Sequence, residues 1–157
     1  LFWDITTLLE DANGFRNTVD EMVKPLLDLN ISKVAGIEAR GFILGGAIAY
    51  QLGVGFVPIR KKGKLPWDVI SQDYELEYGT DTLEIHTDSV KPGEIILLVD
   101  DLLATGGTVC AAIELVHKSK GKVIACSFIG DLPELKGHQK LVERGIPMFS
   151  LCKFEGI

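Results

Sequence analysis

The sequence runs Ile96-Leu97-Leu98-Val99-Asp100-Asp101-Leu102-Leu103-Ala104-Thr105-Gly106-Gly107-Thr108 where a predicted buried strand gives way to a predicted helix. The apolar run from Ile95 to Val99 is rich in branched side chains, as expected of a parallel strand covered on both faces. Apolar residues recur at helical spacing from Val109 onward, so we expect Thr105 to Thr108 to form the first turn of a helix. A helix start carries unpaired backbone N–H groups and the positive end of the helix dipole, and glycines leave an anion room to approach. The stretch therefore predicts a phosphate-binding loop, to which its threonines add hydroxyl donors.

Asp100 and Asp101 need a separate explanation, because two carboxylates beside a phosphate would repel it. Hydroxyl groups donate to carboxylates, and a ribose offers such hydroxyls at the strand ends where open α/β sheets bind their ligands. The alternative is that the two carboxylates only cap a turn at the end of the strand. No lysine follows the glycines in the pattern GxxxxGK[ST], which disfavours an ATP-type loop. The residues therefore favour a phosphorylated sugar as the ligand.

Four blocks of sequence resemble motifs of the type I phosphoribosyltransferases, in the form found in the adenine-specific branch of that family. Residues 99–108 are similar to the family's binding motif for phosphoribosyl pyrophosphate (PRPP). The other blocks follow the family's order and spacing: Gly36-Ile37-Glu38-Ala39-Arg40-Gly41-Phe42, Val57-Pro58-Ile59-Arg60-Lys61-Lys62-Gly63-Lys64-Leu65-Pro66 and Tyr74-Glu75-Leu76-Glu77-Tyr78-Gly79. The likeness spans essentially the whole chain. It implies an α/β fold with a parallel twisted sheet flanked by helices, a flexible flap hairpin, and an N-terminal hood that is incomplete here.

The activity that this resemblance implies is purine salvage, in which the phosphoribosyl group of PRPP is transferred to adenine to give AMP and pyrophosphate. The residues implied for the ribose and the 5'-phosphate are Asp100, Asp101, Ala104, Thr105, Gly106, Gly107 and Thr108. Transfer to a 6-oxopurine, to orotate or to uracil is disfavoured by the form of residues 102–108. A regulator that senses PRPP would carry a DNA-binding extension and a basic patch, and neither is visible in the sequence.

A leaving pyrophosphate needs cations, and the candidates are Arg40, Arg60, Lys61 and Lys64. Taken alone, the basic run from Arg60 to Lys64 is equally consistent with a solvated strand end. The resemblance puts this run near the pyrophosphate, with its lysines available to a neighbouring subunit. It also makes Glu38, Ala39 and Arg40 a pyrophosphate loop whose first peptide is often cis, and it gives Arg40 a catalytic role. Ala39 stands where family members often have serine, which removes one hydroxyl contact.

Glu75-Leu76-Glu77 alternates like any half-exposed strand, so the pattern alone makes Glu77 an ordinary strand residue. Adenine reacts through one imidazole nitrogen, and a positioned carboxyl can manage the proton on the ring. The resemblance assigns that general acid/base role to Glu77, carried on the flap. It places Tyr78 beside the reaction, where the ring shields it from water.

The resemblance also implies an adenine site at the start of the chain. Phe2 matches an aromatic residue that stacks on the base, and the backbone from Leu1 to Trp3 would read the edge of the base. Trp3 stands where an arginine is usual, so we expect it to extend the apolar wall instead. Since the chain starts inside a family motif, we expect a missing N-terminal segment before Leu1.

The composition fits a soluble globular protein with one domain over residues 1–157, since 46% of residues are hydrophobic and 24% are charged. A formal net charge of −6 argues against a nucleic-acid or membrane-surface partner. Cys110, Cys126 and Cys152 are widely spaced and flanked by apolar residues, which disfavours a zinc site or a disulfide framework and favours the cytoplasm. No apolar run approaches the ~20 residues that span a bilayer.

Alternating strands and helices predict a parallel sheet with covered faces. We expect a first helix that Pro25 kinks, and a hairpin around Gly79 built from residues 75–78 and 82–86. The remaining strands are expected at 33–37, 56–60, 95–99, 122–129 and 147–152, and the remaining helices at 41–53, 107–119 and 134–144.

Magnesium is the expected cofactor. Mg²⁺ keeps several waters and prefers phosphate oxygens, so we expect it to bind mainly through PRPP and pyrophosphate, close to Asp100 and Asp101. No metal is expected to be held directly by the protein alone. The resemblance further implies a homodimer, with no nucleic-acid or membrane partner.

Overall fold

A computed structural model describes residues 5–76 and 78–155. Its helices are α1 (Thr6–Glu10), α2 (Ala12–Val23), α3 (Arg40–Leu52), α4 (Gly107–Lys118) and α5 (Gly137–Glu143). Its strands are β1 (Lys33–Ile37), β2 (Gly55–Lys61), β3 (Val69–Glu75), β4 (Thr80–His86), β5 (Ile95–Leu103), β6 (Lys122–Asp131) and β7 (Met148–Lys153). Short 3-10 helices occupy Lys24–Leu26 and Pro133–Leu135. Helix α2 is the helix that was predicted to be kinked by Pro25. It ends at Val23 and does not continue as a kinked helix, because proline cannot supply a backbone N–H.

Within the described residues the seven strands form one sheet in the order β3-β4-β2-β1-β5-β6-β7. Five of these strands run parallel to one another, in the order β2, β1, β5, β6 and β7. Strand β4 joins them antiparallel, with Arg60 opposite Glu84, and β3 pairs with β4 along its whole length. A mostly parallel sheet flanked by helices and extended by a hairpin confirms the predicted fold class.

Buried apolar residues form two clusters, and alternate residues of β5 divide between them. Ile96 and Leu98 belong to the cluster that α4 covers, whereas Leu97 and Val99 belong to the cluster that α2 and α3 cover. Each of these four residues is at most 1% exposed. Since both faces of the strand are buried, its sequence is a continuous apolar run instead of an alternating one.

The helix after β5 begins at Gly107, as the predicted range 107–119 has it, but the expected first turn from Thr105 is wrong for Thr105 and Gly106. Gly106 has a φ of 89°, in the left-handed region, and α4 starts only at Gly107. Strand β5 also continues to Leu103, so Asp100 and Asp101 lie inside the strand. The chain turns sharply at a glycine because a residue without a Cβ adopts this conformation easily. Thr105 consequently lies in the loop that precedes the helix.

The predicted hairpin is present, and its first strand is longer than the sequence indicated. Strand β3 begins at Val69, well before the predicted start at residue 75, and the turn passes through Gly79 with a φ of 98°. Leu83 and Ile85 are fully buried in the cluster under α4. The Lys118 ammonium also donates to the Ser71 carbonyl at 2.8 Å. The body of the hairpin is thus packed on α4, and the flexibility of its tip stays a prediction.

Candidate active site

The predicted phosphate loop lies at the carboxyl end of β5, between the strand and the first turn of α4. The Gly107 N–H points to the Thr105 hydroxyl at 3.5 Å, and the Cys110 N–H donates to the Gly106 carbonyl at 2.9 Å, which starts the helix. A small cavity of about 70 Å³ opens here, and its lining includes Asp100, Ala104, Thr105, Gly106 and Thr108. The structure therefore brings together five of the seven residues predicted for the ribose and the 5'-phosphate around one concave surface. Asp101 adjoins it in β5, and Gly107 begins the helix.

Helix α5 supports this loop from behind, a contact that the sequence analysis missed. The Gly137 N–H donates to the Ala104 carbonyl at 3.0 Å. A Cβ added to Gly137 would lie 2.5 Å from that same oxygen, and one added to Gly106 would lie 3.2 Å from Lys140 Cδ. The sequence signal for this contact is a glycine that opens a short helix, which ordinarily indicates no more than a helix start.

The two carboxylates at the end of β5 have different surroundings. The Asp101 N–H donates to Asp100 Oδ1 at 2.8 Å, and the Leu102 N–H donates to Asp101 Oδ1 at 2.9 Å. Arg40 Nε donates to Asp101 Oδ2 at 2.5 Å, so Asp101 is paired with a cation. Burial raises the pKa of Asp100 well above its usual range, and the adjacent Asp101 carboxyl adds to the rise. The pair thus combines one ion-paired carboxylate with one that binds its proton tightly.

The loop between β1 and α3 carries the predicted pyrophosphate residues. The Glu38–Ala39 peptide is cis, as the resemblance implied. A Cβ added at Gly41 would lie 2.8 Å from the Val99 carbonyl oxygen, so this loop approaches the end of β5 closely. The close approach brings Arg40 to Asp101, and the predicted pyrophosphate loop therefore contacts the predicted ribose site directly.

Glu38 connects the pyrophosphate loop to the basic run after β2. Its carboxylate accepts from the Lys61 N–H at 2.6 Å and from the Lys64 ammonium at 2.8 Å, and Arg60 Nε lies 3.5 Å away. Burial alone would raise the pKa of Glu38, but the hydrogen bonds from Lys64 and the Lys61 N–H outweigh it, and the pKa is lowered. Glu38 is thus a charged carboxylate that orients the candidate cations.

Asp81 on β4 holds Lys61, another contact that the sequence analysis missed. The Lys61 ammonium lies 3.2 Å from Asp81 Oδ2, and this hydrogen bond raises the pKa of Lys61. Arg60, by contrast, stacks over the Phe42 ring, with its Cζ 5.6 Å from the ring centroid. A buried carboxylate on the same strand, Glu84, accepts from the Gly63 N–H at 2.8 Å and fixes the loop between the lysines. The hairpin therefore positions Lys61 and the loop after it, whereas Glu38 and Phe42 hold Lys64 and Arg60.

Several predicted site residues fall outside this description. Leu1, Phe2, Trp3 and Glu77 lie outside the described residues. Tyr78 lies in the turn of the hairpin, directly before Gly79, and is 89% exposed, so its ring touches little of the protein. The assignments of the base site and of the general acid/base therefore stay predictions.

The described residues offer neither a cluster of metal ligands nor a membrane-spanning helix. No three side chains of His, Cys, Asp or Glu converge there in a way that could hold a metal ion. Over the same residues, no helix combines the length and the apolar character needed to cross a bilayer.

Comparison with known proteins places this geometry among characterised folds. Residues 8–151 match the model of the phosphoribosyl transferase domain. The adenine phosphoribosyltransferase of Ruegeria pomeroyi is 59% identical over 157 residues, which make up 100% of this chain and 88% of that protein. The solved adenine phosphoribosyltransferase of Thermoanaerobacter pseudethanolicus is 48% identical with a TM-score of 0.94, covering 98% of this chain and 88% of the other. That of Giardia lamblia, complexed with 9-deazaadenine, is 38% identical with a TM-score of 0.93, covering 99% and 87%.

Proposed function

Because this chain belongs to the adenine phosphoribosyltransferases, within the phosphoribosyl transferase domain family, we propose that it transfers the phosphoribosyl group of PRPP to adenine, giving AMP and pyrophosphate. The observation that carries the proposal is the end of β5, where two carboxylates lead into a small-residue loop at the start of α4. The reaction is a step of purine salvage, since it converts a free base into a nucleotide.

The end of β5 is proposed to hold the ribose 5-phosphate part of PRPP. The N–H groups at the start of α4 and the hydroxyls of Thr105 and Thr108 supply donors for the 5'-phosphate. Asp100 and Asp101 accept from the ribose hydroxyls, and Arg40 orients Asp101 through an ion pair. This arrangement fixes the anomeric carbon between the phosphate loop and the cations.

The pyrophosphate is proposed to leave toward the cations around Glu38. Arg60, Lys61 and Lys64 provide the positive charge, and the backbone of Ala39 and Arg40 at the start of α3 adds N–H donors. As the bond from the anomeric carbon to the pyrophosphate oxygen breaks, its electron pair goes to that oxygen. These cations stabilise the negative charge that develops there.

Magnesium is proposed to accompany PRPP. Mg²⁺ keeps several waters and prefers phosphate oxygens, so it would be held mainly by PRPP and pyrophosphate, with Asp100 and Asp101 close by. When bound, the ion would neutralise phosphate charge and orient the leaving group. Arg40 and Glu38 are held in place by contacts with other protein groups and do not depend on the ion.

The base is proposed to bind at the start of the chain, with Phe2 stacked on the ring and the backbone at Leu1 reading its edge. Adenine N9 forms the new bond to the anomeric carbon, and the ring loses one proton, which Glu77 accepts. Tyr78 is proposed to cover the reacting atoms. The Giardia lamblia relative was solved with 9-deazaadenine, in which carbon replaces N9, and this supports an adenine-shaped base site.

We place the reaction in the cytoplasm and in a homodimer. Cys110, Cys126 and Cys152 are free thiols, as expected in a reducing compartment. The basic run from Arg60 to Lys64 lies at the edge of the site, where a second subunit can share it. Sedimentation that showed a fully active monomer at working concentration would contradict the dimer.

The function is tested by mixing purified protein with PRPP, Mg²⁺ and one base at a time: adenine, hypoxanthine, orotate or uracil. Pyrophosphate release with adenine, together with AMP detected by chromatography, is the expected result. Release with another base alone would overturn the adenine assignment. Binding of PRPP without turnover of any base would favour a PRPP sensor instead.

A further inference from the structure

Glu84 is a buried carboxylate that links three segments of the chain. It lies on β4 and is 6% exposed. Its Oε1 accepts from the Gly63 N–H at 2.8 Å, in the loop after β2, and its Oε2 accepts from the Ser71 hydroxyl at 3.0 Å, on β3. Each carboxylate oxygen thus has a neutral donor. Glu84 therefore joins both strands of the hairpin to the basic run from Arg60 to Lys64.

The register of the strands places Glu84 on the same face of the sheet as Arg60. Its neighbours Leu83 and Ile85 are fully buried in the cluster that α4 covers, and successive side chains of a strand point to opposite faces. Arg60 lies directly opposite Glu84 in the antiparallel pair, so the two side chains share a face. The Arg60 guanidinium lies over the Phe42 ring of α3. Glu84 is therefore on the side of the sheet that faces α3.

The loop that Glu84 contacts turns at a glycine. Gly63 has a φ of 83°, in the left-handed region, and a residue without a Cβ has wide conformational freedom that a hydrogen bond to its N–H restricts. The loop has two further contacts. The Lys62 N–H donates to the Thr82 carbonyl at 3.1 Å, and the Lys64 ammonium donates to Glu38 Oε2 at 2.8 Å.

These contacts respond differently to a bound pyrophosphate. The anion competes with Glu38 for the Lys64 ammonium, so that contact weakens when the leaving group is bound. The bond from the Gly63 N–H to Glu84 involves no cation and lies on a buried carboxylate, so the anion does not compete for it. The Glu84 bond therefore persists when the Lys64 side chain changes its partner.

We propose that Glu84 is a positioning residue for the leaving pyrophosphate. It holds the backbone at Gly63, so that Lys64 stays within reach of the anion while its ammonium leaves Glu38. The inference rests on the proposed function, since it takes Lys64 as a ligand of the pyrophosphate. Glu84 itself touches no substrate and acts through the loop.

The charge of Glu84 and its hydrogen bond to Gly63 have opposite effects on pyrophosphate binding. A carboxylate near an anion site repels the anion, so removal of the charge alone favours binding. Removal of the acceptor frees the Gly63 N–H and loosens the loop, which weakens binding. Variants that remove the charge with and without the acceptor therefore separate a positioning role from a purely electrostatic one by the sign of the change.

The test compares Glu84→Met, which fills a similar volume without a strong acceptor, with Glu84→Gln, which removes the charge and keeps an oxygen for the Gly63 N–H. Ser71→Ala is the matched control, because it removes the other hydrogen bond of the same carboxylate. Calorimetry in the presence of Mg²⁺ gives two affinities. The affinity for pyrophosphate is measured with the site saturated by ribose 5-phosphate, and the affinity for ribose 5-phosphate is measured alone.

In Glu84→Met, the Kd of pyrophosphate is expected to rise about 2–10-fold, the range for loss of one hydrogen bond. The Kd of ribose 5-phosphate is expected to stay unchanged. Glu84→Gln is expected to bind pyrophosphate at least as tightly as the natural chain, and Ser71→Ala is expected to bind it equally. Equal weakening of both ligands in Glu84→Met would show a merely structural role and overturn the proposal. Unchanged or tighter binding of pyrophosphate in that variant would also overturn it.

A double-mutant cycle shows whether Glu84 acts through Lys64. Lys64→Met alone is expected to weaken pyrophosphate binding, and adding Glu84→Met is expected to cause no further loss, because the group that the loop positions is gone. Residues that act through one another show such non-additivity. Losses that add in the double variant would contradict the proposed route.

The natural chain provides a test that needs no variant. The Gly63 amide is expected to stay protected from hydrogen exchange, followed by NMR, when pyrophosphate binds. Loss of this protection would overturn the proposal, whether or not Glu84→Met folds. If instead the natural chain forms no AMP from adenine and PRPP, the proposed function fails, while pyrophosphate binding still tests the role of Glu84. The two failures are therefore distinguishable.

Discussion

Arg40 Nε and Asp101 Oδ2 lie 2.5 Å apart, and this ion pair joins the loop after β1 to the end of β5. The Asp101 side chain is 10% exposed and that of Arg40 is 36% exposed, so the pair is only partly screened by solvent. Arg40, which is assigned to the pyrophosphate, thus holds Asp101, which is assigned to the ribose. Changes at either residue are expected to affect both ends of PRPP.

Replacing Asp101 with asparagine is expected to reduce turnover sharply. A carboxylate accepts from a ribose hydroxyl more strongly than an amide does, and Asp101→Asn also leaves Arg40 without its anion. Charge-assisted hydrogen bonds contribute roughly 1.5–3 kcal/mol, so kcat/KM for PRPP should fall about tenfold or more. Steady-state kinetics check this, with the exposed Asp28→Asn as control. Unchanged kinetics and PRPP affinity in Asp101→Asn would refute the ribose assignment.

Asp100→Asn is expected to make the protein more stable and less active. The folded-state pKa of Asp100 is raised, so the folded chain binds this proton more tightly than the unfolded chain does. Stability from this group is fully present below the unfolded pKa of about 3.9 and is lost as the pH rises through the folded pKa. Asparagine carries no charge and avoids that loss. At pH 7–8 the melting temperature of Asp100→Asn should exceed that of the natural chain by about 2–4 °C for each kcal/mol gained in the free energy of unfolding.

The comparison needs thermal melts of both proteins at several pH values. The difference in melting temperature between Asp100→Asn and the natural chain should shrink toward zero near pH 4. A constant difference across the pH range would show that the proton on Asp100 is not its source. AMP formation by the variant at neutral pH should nevertheless fall about tenfold or more, as for Asp101.

Glu77→Gln should preserve folding and PRPP binding while lowering kcat. General acid–base catalysis typically supplies about 10²–10⁴-fold, and glutamine cannot take up the proton that adenine loses. The matched control is Glu75→Gln, an exposed residue two positions earlier on the same hairpin. Single-turnover AMP formation measures the chemical step directly. Near-natural rates in Glu77→Gln would return this residue to an ordinary structural role.

Gly137→Ala should weaken PRPP binding from outside the phosphate loop. The new Cβ would lie 2.5 Å from the Ala104 carbonyl oxygen, a backbone atom that cannot rotate away. Displacing the loop is expected to raise KM for PRPP several-fold and to destabilise the chain by about 1–3 kcal/mol. Gly46→Ala is the control, because a Cβ there meets nothing within 4 Å. Equal KM values in the two variants would argue against support of the loop by α5.

Adenine should be strongly preferred over hypoxanthine. Adenine presents an amino donor beside a bare N1 acceptor, whereas hypoxanthine presents a carbonyl acceptor beside an N1–H donor. If the backbone from Leu1 to Trp3 reads this edge, the wrong base leaves two buried polar groups unpaired, each costing about 1–3 kcal/mol. Such sites discriminate by about 10⁴-fold or more. Similar kcat/KM for both bases in full-length protein would overturn the base assignment and leave the phosphoribosyl chemistry standing.

The sequence predicted local features well and long-range contacts poorly. The strand from Ile95 and the helix after Gly107 follow from apolar periodicity, which is a local property. The expected first turn was wrong for Thr105 and Gly106, because the φ of Gly106 depends on the turn and not on periodicity. Asp81 and Gly137 were missed because their contacts with Lys61 and Ala104 join residues 20 and 33 positions apart, and nothing in either neighbourhood marks them.

In the candidate site the cations are already paired with the carboxylates of Glu38, Asp81 and Asp101, as the fixed charges of an ion exchanger are paired with counter-ions. Arg40, Lys61 and Lys64 each already have a carboxylate counter-ion inside the protein. We therefore expect an incoming anion to compete with internal carboxylates for these cations. A small anion such as sulfate makes too few contacts to replace several of them at once, whereas a sugar pyrophosphate can exchange them together. If these cations bind pyrophosphate as proposed, we expect the site to bind simple anions weakly, because its own acidic residues compete for the cations, and we expect the internal ion pairs to form again when pyrophosphate departs.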